Sequence, residues 1–71
     1  MKVIYDPEVD IVRIIFNQVQ IQESDEVEAG LILDYDREGN VVGLEIMDAS
    51  KKMKNPRSVE YSVREAASVS A

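Results

Sequence analysis

The residue pattern predicts a mainly β fold of the α+β class: an antiparallel meander of about five or six strands with one short helix between the last two strands. Three observations carry that expectation. Apolar residues recur mostly with period two, as in strands whose alternate side chains face a core. Turn chemistry separates the apolar runs, at Asp6-Pro7, Gly30 and Gly39-Asn40. A single stretch, residues 48–54, carries helix start and stop signals.

The first two strands are expected from Val3-Ile4-Tyr5 and from residues 11–16, both rich in β-branched and aromatic types. Asp6-Pro7-Glu8-Val9-Asp10 between them supplies a turn, and alternation puts Val12, Ile14 and Phe16 on one face with Ile11, Arg13 and Ile15 on the other. Residues 18–28 alternate weakly through Val19 and Ile21, which predicts a short edge strand bending into an acidic loop around Glu23, Asp25, Glu26 and Glu28.

After Gly30 comes the strongest signal, Leu31-Ile32-Leu33-Asp34-Tyr35-Asp36, then Arg37-Glu38-Gly39-Asn40 and Val41-Val42-Gly43-Leu44-Glu45-Ile46. A hairpin with Asp36 opposite Val41 collects Leu31, Leu33, Tyr35, Val42, Leu44 and Ile46 on one face. A one-residue slip would mix that row with Ile32, Asp34, Asp36, Val41, Gly43 and Glu45, so this register is specified and the apolar row is expected to anchor the core. Such side chains stabilise by roughly 1.5–3 kcal/mol each when fully buried.

Asp48 or Ser50 is positioned to cap one or two helical turns, lysines at 51, 52 and 54 complement the helix dipole, and Asn55-Pro56 ends the turn. Ala49 and Met53 would form its apolar stripe. Clean alternation over residues 59–64 predicts a final strand presenting Val59, Tyr61 and Val63 to the core. At 71 residues the chain is expected to be a single domain over 1–64, with 65–71 a frayed tail or a weak helical turn. About 4–10 kcal/mol is the whole stability such a chain can hold.

Composition narrows the chemistry. There is no cysteine and no histidine, which removes disulfides, thiolate ligands, cysteine nucleophiles and the commonest general base. Fourteen acidic against eight basic residues give a net charge of −6, which opposes binding to a phosphate backbone and suits solubility or a basic partner. The N-terminus reaches a charge and a proline too soon for a signal peptide, and no run approaches the roughly 20 apolar residues of a membrane span. A cytoplasmic location follows as the expectation.

Tyr5-Asp6-Pro7-Glu8-Val9-Asp10, Glu26-Val27-Glu28-Ala29-Gly30, the run from Leu31 to Asp36, the run from Gly39 to Ile46 and Ala49-Ser50-Lys51 together resemble the domain of unknown function 2283 family. The resemblance covers residues 1 to about 54. It implies a small bacterial or archaeal β-rich domain with no established activity, whose genes often neighbour those of small proteins suspected to be toxins. It implies no catalytic residues, because the recurrent positions are turn and sheet residues.

Three groups of side chains are candidates for function. Asp34, Asp36 and Glu45 fall on one hairpin face and would offer oxygen ligands to magnesium or calcium, against the simpler reading of a solvated face. Glu23, Asp25, Glu26 and Glu28 would engage a basic partner, or merely block unwanted strand pairing. Lys51, Lys52, Lys54 and Arg57 form a basic cluster that helix-end complementarity largely explains.

Ile11, Ile15, Ile32 and Val41 lie opposite the rows assigned to the core, so either the sheet curls to bury them or a second copy or another protein covers them. The leading expectation is a non-enzymatic protein-interaction domain, antitoxin-like toward a small basic protein. Beside it stand a homo-oligomeric accessory protein, a homodimer in its simplest form, and a divalent-metal protein or enzyme using the acidic hairpin face. The expected partner is a protein or a second copy, with no cofactor, no small-molecule substrate and no nucleic acid.

Overall fold

A computed structural model describes residues 1–66. Five strands form one antiparallel sheet: β1 (Lys2–Asp6), β2 (Ile11–Ile15), β3 (Glu23–Glu28), β4 (Leu31–Tyr35) and β5 (Val41–Met47), followed by the helix α1 (Ala49–Lys52). The expected mainly β antiparallel fold with one short helix is therefore present. The strand order is β1-β2-β5-β4-β3, which differs from a simple meander. β3, β4 and β5 are joined by hairpins, and the connection from β2 runs past them to the far edge. Strands β2 to β5 thus form a Greek key, with β1 added by a hairpin.

The hairpins follow from local chemistry. In the β1–β2 turn Asp6 accepts the Glu8 amide at 3.0 Å, and Asp10 takes a left-handed φ of 57°. In the β4–β5 turn the Asp36 carboxylate accepts the amides of Glu38 and Asn40, while Gly39 supplies φ 83°. β3 and β4 turn through Ala29 and Gly30, whose φ is 78°, and the Gly30 amide donates to the Glu26 carboxylate at 3.0 Å.

The register expected for β4 and β5 is observed at Leu31 with Ile46, Ile32 with Glu45, Leu33 with Leu44 and Asp34 with Gly43. A bulge after Asp34 then places Tyr35 opposite Val41 instead of Val42. The acidic stretch 23–28 is itself the edge strand, and the weakly alternating residues 18–22 belong to the connection before it. Backbone pairing with the free edge of β4 overrides the low β propensity of Glu, Asp and Ser.

No sixth strand forms among the described residues. The stretch 59–64, expected as a strand, is not paired with either edge strand, and Tyr61 is 74% exposed. The helix consequently follows the last strand instead of lying between two. It is a single turn, with Asp48 at φ 52° making no side-chain cap, and Met53 just beyond it already extended, so the expected Ala49–Met53 stripe does not form on one helix. Of the expected tail, residues 67–71 lie outside the described residues.

One face of the sheet carries the cross-strand rows Tyr5–Val12–Ile46–Leu31–Glu28 and Val3–Ile14–Leu44–Leu33–Asp25. The other carries Ile4–Arg13–Glu45–Ile32–Glu26 and Lys2–Ile15–Gly43–Asp34–Ser24. Buried apolar residues are few: Val12 is 5% exposed, Val42 4% and Ala49 0%. Leu31, Leu33, Tyr35, Leu44 and Ile46, expected to anchor a closed core, are only half-buried. The reason is architectural. A sheet needs a second layer over its apolar face, and one helical turn at the end of the strands does not supply it.

Candidate interaction surfaces

The carboxylates expected to share a face separate into two roles. Asp36 is spent on the β4–β5 turn, where the hydrogen bond from the Asn40 backbone amide at 2.9 Å heads the causes that hold its pKa below the ordinary 3.8. Asp34 and Glu45 do share a face, diagonal to one another across β4 and β5. Asp34 is 3% exposed and accepts the Ser24 hydroxyl at 2.6 Å. Glu45 is pushed above its ordinary 4.5, first by burial, then by a hydrogen bond shared with Asp34 and by that carboxylate's charge, with Arg13 acting in the opposite sense. The Arg13 Nε lies 3.9 Å from Glu45 Oε1.

The expected trio of oxygen ligands is thus not brought together. Among the described residues no group of three or more Asp, Glu, His or Cys side chains is arranged to hold a metal ion. What Asp34 and Glu45 do form is a neighbouring carboxyl pair in which burial and the Asp34 charge favour the protonated form of Glu45.

Gly43 makes room for this pair. A Cβ there would lie 3.7 Å from Asp34 Oδ2 and 2.8 Å from the Ile14 carbonyl oxygen of the neighbouring strand. A hollow of about 310 Å³ beside Gly43 is lined by Ile14, Ile15, Asp34, Val42, Leu44 and the connection through Val19 and Ile21, among others.

The second apolar row expected from Ile11, Ile15, Ile32 and Val41 is not continuous. Ile11, Ile15 and Ile32 are half-buried on the face that also holds Arg13, Glu45 and Asp34, and Val41, displaced at the bulge, is 39% exposed. The larger uninterrupted apolar surface is the opposite face, the one expected to be the core.

Glu23, Asp25, Glu26 and Glu28 all lie on the exposed edge strand β3. Their side chains divide between the two faces, with Glu23, Asp25 and Glu28 beside Tyr35, Leu33 and Leu31, and Glu26 beside Ile32. In the basic cluster, the Lys52 ammonium donates to the Ala29 carbonyl at 3.3 Å and the Arg57 guanidinium sits 5.8 Å from the Tyr5 ring centroid. These two cations hold the C-terminal segment to the sheet instead of forming an open basic patch.

A residue with no role in the sequence expectations beyond its turn proves central. Asp10 accepts the Tyr5 hydroxyl at 2.8 Å, the Ser50 amide at 3.0 Å and the Ser50 hydroxyl at 2.7 Å, and its carbonyl accepts the Ala49 amide at 3.0 Å. The Ser50 hydroxyl is the main cause that keeps the Asp10 pKa below 3.8, with Tyr5 next. A helix whose own cap position is left-handed is thus capped from another hairpin. The only sequence signal was an aspartate at the end of a turn and a serine at the start of a helix, with nothing to join them.

No helix among the described residues is long and apolar enough to cross a membrane. No curated protein and no solved structure matches the chain. The family described as protein of unknown function (DUF2283) matches residues 2–50. That span holds all five strands together with both Asp10 and Ser50, the residues that lock the helix to the first turn, and on this match the chain belongs to the DUF2283 family.

Proposed function

We propose that this chain is a non-enzymatic protein-interaction domain that engages a small basic protein through its acidic edge strand, occluding a basic surface as an antitoxin does. The observation that carries the reading is β3. It pairs only with β4, all six of its residues are exposed, and four of them are carboxylates. An edge strand offers backbone groups to an incoming extended segment. Its charge rejects a second acidic edge and steers a cationic one, so the same carboxylates that prevent self-pairing select a basic partner.

Co-expression with the product of the adjacent gene, followed by co-purification and a salt series, tests this. A complex that weakens steeply with salt, and whose Kd rises at least about tenfold in Asp25→Lys/Glu26→Lys, is the expected result. Failure to associate at micromolar concentration in low salt would remove the reading, as would a complex indifferent to those substitutions.

A further inference from the structure

The two edges of the sheet are chemically unlike. β3 is lined with carboxylates, whereas β1 reads Lys2-Val3-Ile4-Tyr5-Asp6, a cation at its start, an anion at its end and no charge between them. β1 pairs only with β2, and all of its residues except the half-buried Tyr5 are exposed, Val3 by 38% and Ile4 by 37%. Among the described residues no backbone hydrogen bond beyond the β1–β2 ladder involves Val3 or Tyr5, and the chain's own Arg57 meets this strand at the Tyr5 ring, not at its backbone.

Which backbone groups of β1 face outward follows from the ladders behind it. The Met47 amide donates to the Gly30 carbonyl at 2.8 Å, so Met47 faces β4, and alternation turns Ile46 and Leu44 toward Val12 and Ile14 of β2. The Phe16 amide, donating to the Val42 carbonyl at 2.8 Å, gives the same parity. Ile11, Arg13 and Ile15 therefore face β1, where they meet Asp6, Ile4 and Lys2. Val3 and Tyr5 are left with their amides and carbonyls pointing away from the sheet.

That strand is complementary to its own reverse. An antiparallel two-fold centred on Ile4 sets Val3 opposite the second copy's Tyr5, each outward group finding a partner, with Ile4 beside Ile4 as the close non-bonded pair. It also sets Lys2 opposite the second copy's Asp6, whose Oδ1 takes the Glu8 amide while Oδ2 remains for the ammonium. Other centres of the same parity fail. One at Tyr5 sets Val3 against Pro7, which has no amide to donate, and one at Val3 sets Lys2 against Ile4. Self-pairing of β3 would crowd carboxylates together, and pairing β1 with β3 of another copy would grow without closing.

We infer that two copies of this chain join through β1, antiparallel about Ile4, into one continuous sheet with reciprocal Lys2–Asp6 pairs. The acidic β3 edges then lie at its two far ends.

Sedimentation of the unmodified chain at high micromolar concentration should give twice the 8.0 kDa mass of one copy. A monomer overturns the inference, as does a species that keeps growing with concentration. Amide exchange at Val3 and Tyr5 should slow several-fold as the protein is concentrated, while Ile4, already bonded to β2, changes little. Protection appearing at β3 instead, or NOEs from residues 59–71 of the same chain to the β1 backbone, overturns it.

Val3→Pro removes an outward donor and leaves the β2 ladder whole, so the fold is kept and the dimer dissociation constant should rise at least about tenfold. Lys2→Glu and Asp6→Lys should each raise it several-fold and restore it when combined in one chain; absence of that rescue overturns the register. The exchange measurement needs no substitution and so stands even where a variant fails to fold. None of these readouts involves β3 or a basic partner, so this inference and the proposed function fail separately.

Discussion

The Asp10 carboxylate and Ser50, forty residues apart, are joined by two hydrogen bonds, one from the serine amide at 3.0 Å and one from its hydroxyl at 2.7 Å. Through them the first turn of the chain holds the start of the only helix among the described residues. A four-residue helix is too short to be stable alone, so its existence depends on this contact and on the burial of Ala49.

Asp10→Ala is therefore expected to lower the melting temperature by roughly 5 °C or more and to accelerate amide exchange at Ala49 and Ser50. Asp10→Asn keeps an acceptor and should lose less. Unchanged exchange at Ser50 in the alanine variant would show that the helix is held by something else.

The carboxyl groups pull the pH dependence of stability in two directions. Asp10 and Asp36 have pKa values lowered in the folded chain, so their stabilisation is present above the ordinary 3.8 and is lost as pH falls through the folded values. Glu45 is raised, so stability is gained below 4.5 and lost as pH rises through its folded value. Tyr5 is raised by the bond it donates to Asp10, and that contribution is lost above 10.0 as pH passes its folded value. Urea unfolding should show stability rising as pH is lowered through the folded pKa of Glu45, above 4.5, then falling as pH drops below 3.8 through those of Asp10 and Asp36. Glu45→Gln should abolish the first limb and leave the second. A profile flat above pH 4.5 in the unmodified chain would contradict the raised Glu45.

Gly43 is the position at which the sheet tolerates least. An added Cβ would sit 2.8 Å from the Ile14 carbonyl oxygen, and strand backbone cannot give way as a flexible side chain does. Gly43→Ala should destabilise by about 1–3 kcal/mol and Gly43→Val by more, through displaced β2–β5 pairing. Chemical denaturation measures the loss, and Ile14 and Ile15 should show the largest amide shift changes. An alanine variant as stable as the parent would mean the strands separate freely at this point.

Four strands and most of one register were legible in the sequence, because alternation and turn residues are local properties. Leu31, Leu33, Leu44 and Ile46 could be paired on paper since any other register mixes them with Asp34 and Glu45. The same rule failed in two opposite ways. Residues 59–64 alternate without forming a strand, although β1 and β3 are both edge strands, because alternation alone does not carry a segment to an edge. Residues 23–28 form one although five of the six are charged or polar, because the free edge of β4 is there and Ser24 and Glu26 find partners at Asp34 and Gly30.

The candidate sites were legible by residue type and not by grouping. Asp36 left the acidic trio because its own turn consumed its acceptors, a competition between local and cross-strand bonding that spacing does not record. By itself the sequence determined the fold class, the hairpins and the exclusion of histidine and cysteine chemistry, all of which depend on residue identity and near neighbours. Only the tertiary structure decided that Asp10 caps a helix forty residues away, that the acidic stretch 23–28 becomes an edge strand and that Asp36 parts from Asp34 and Glu45. Those outcomes depend on which strand lies beside which, and the path of the chain from β2 to the far edge sets that order.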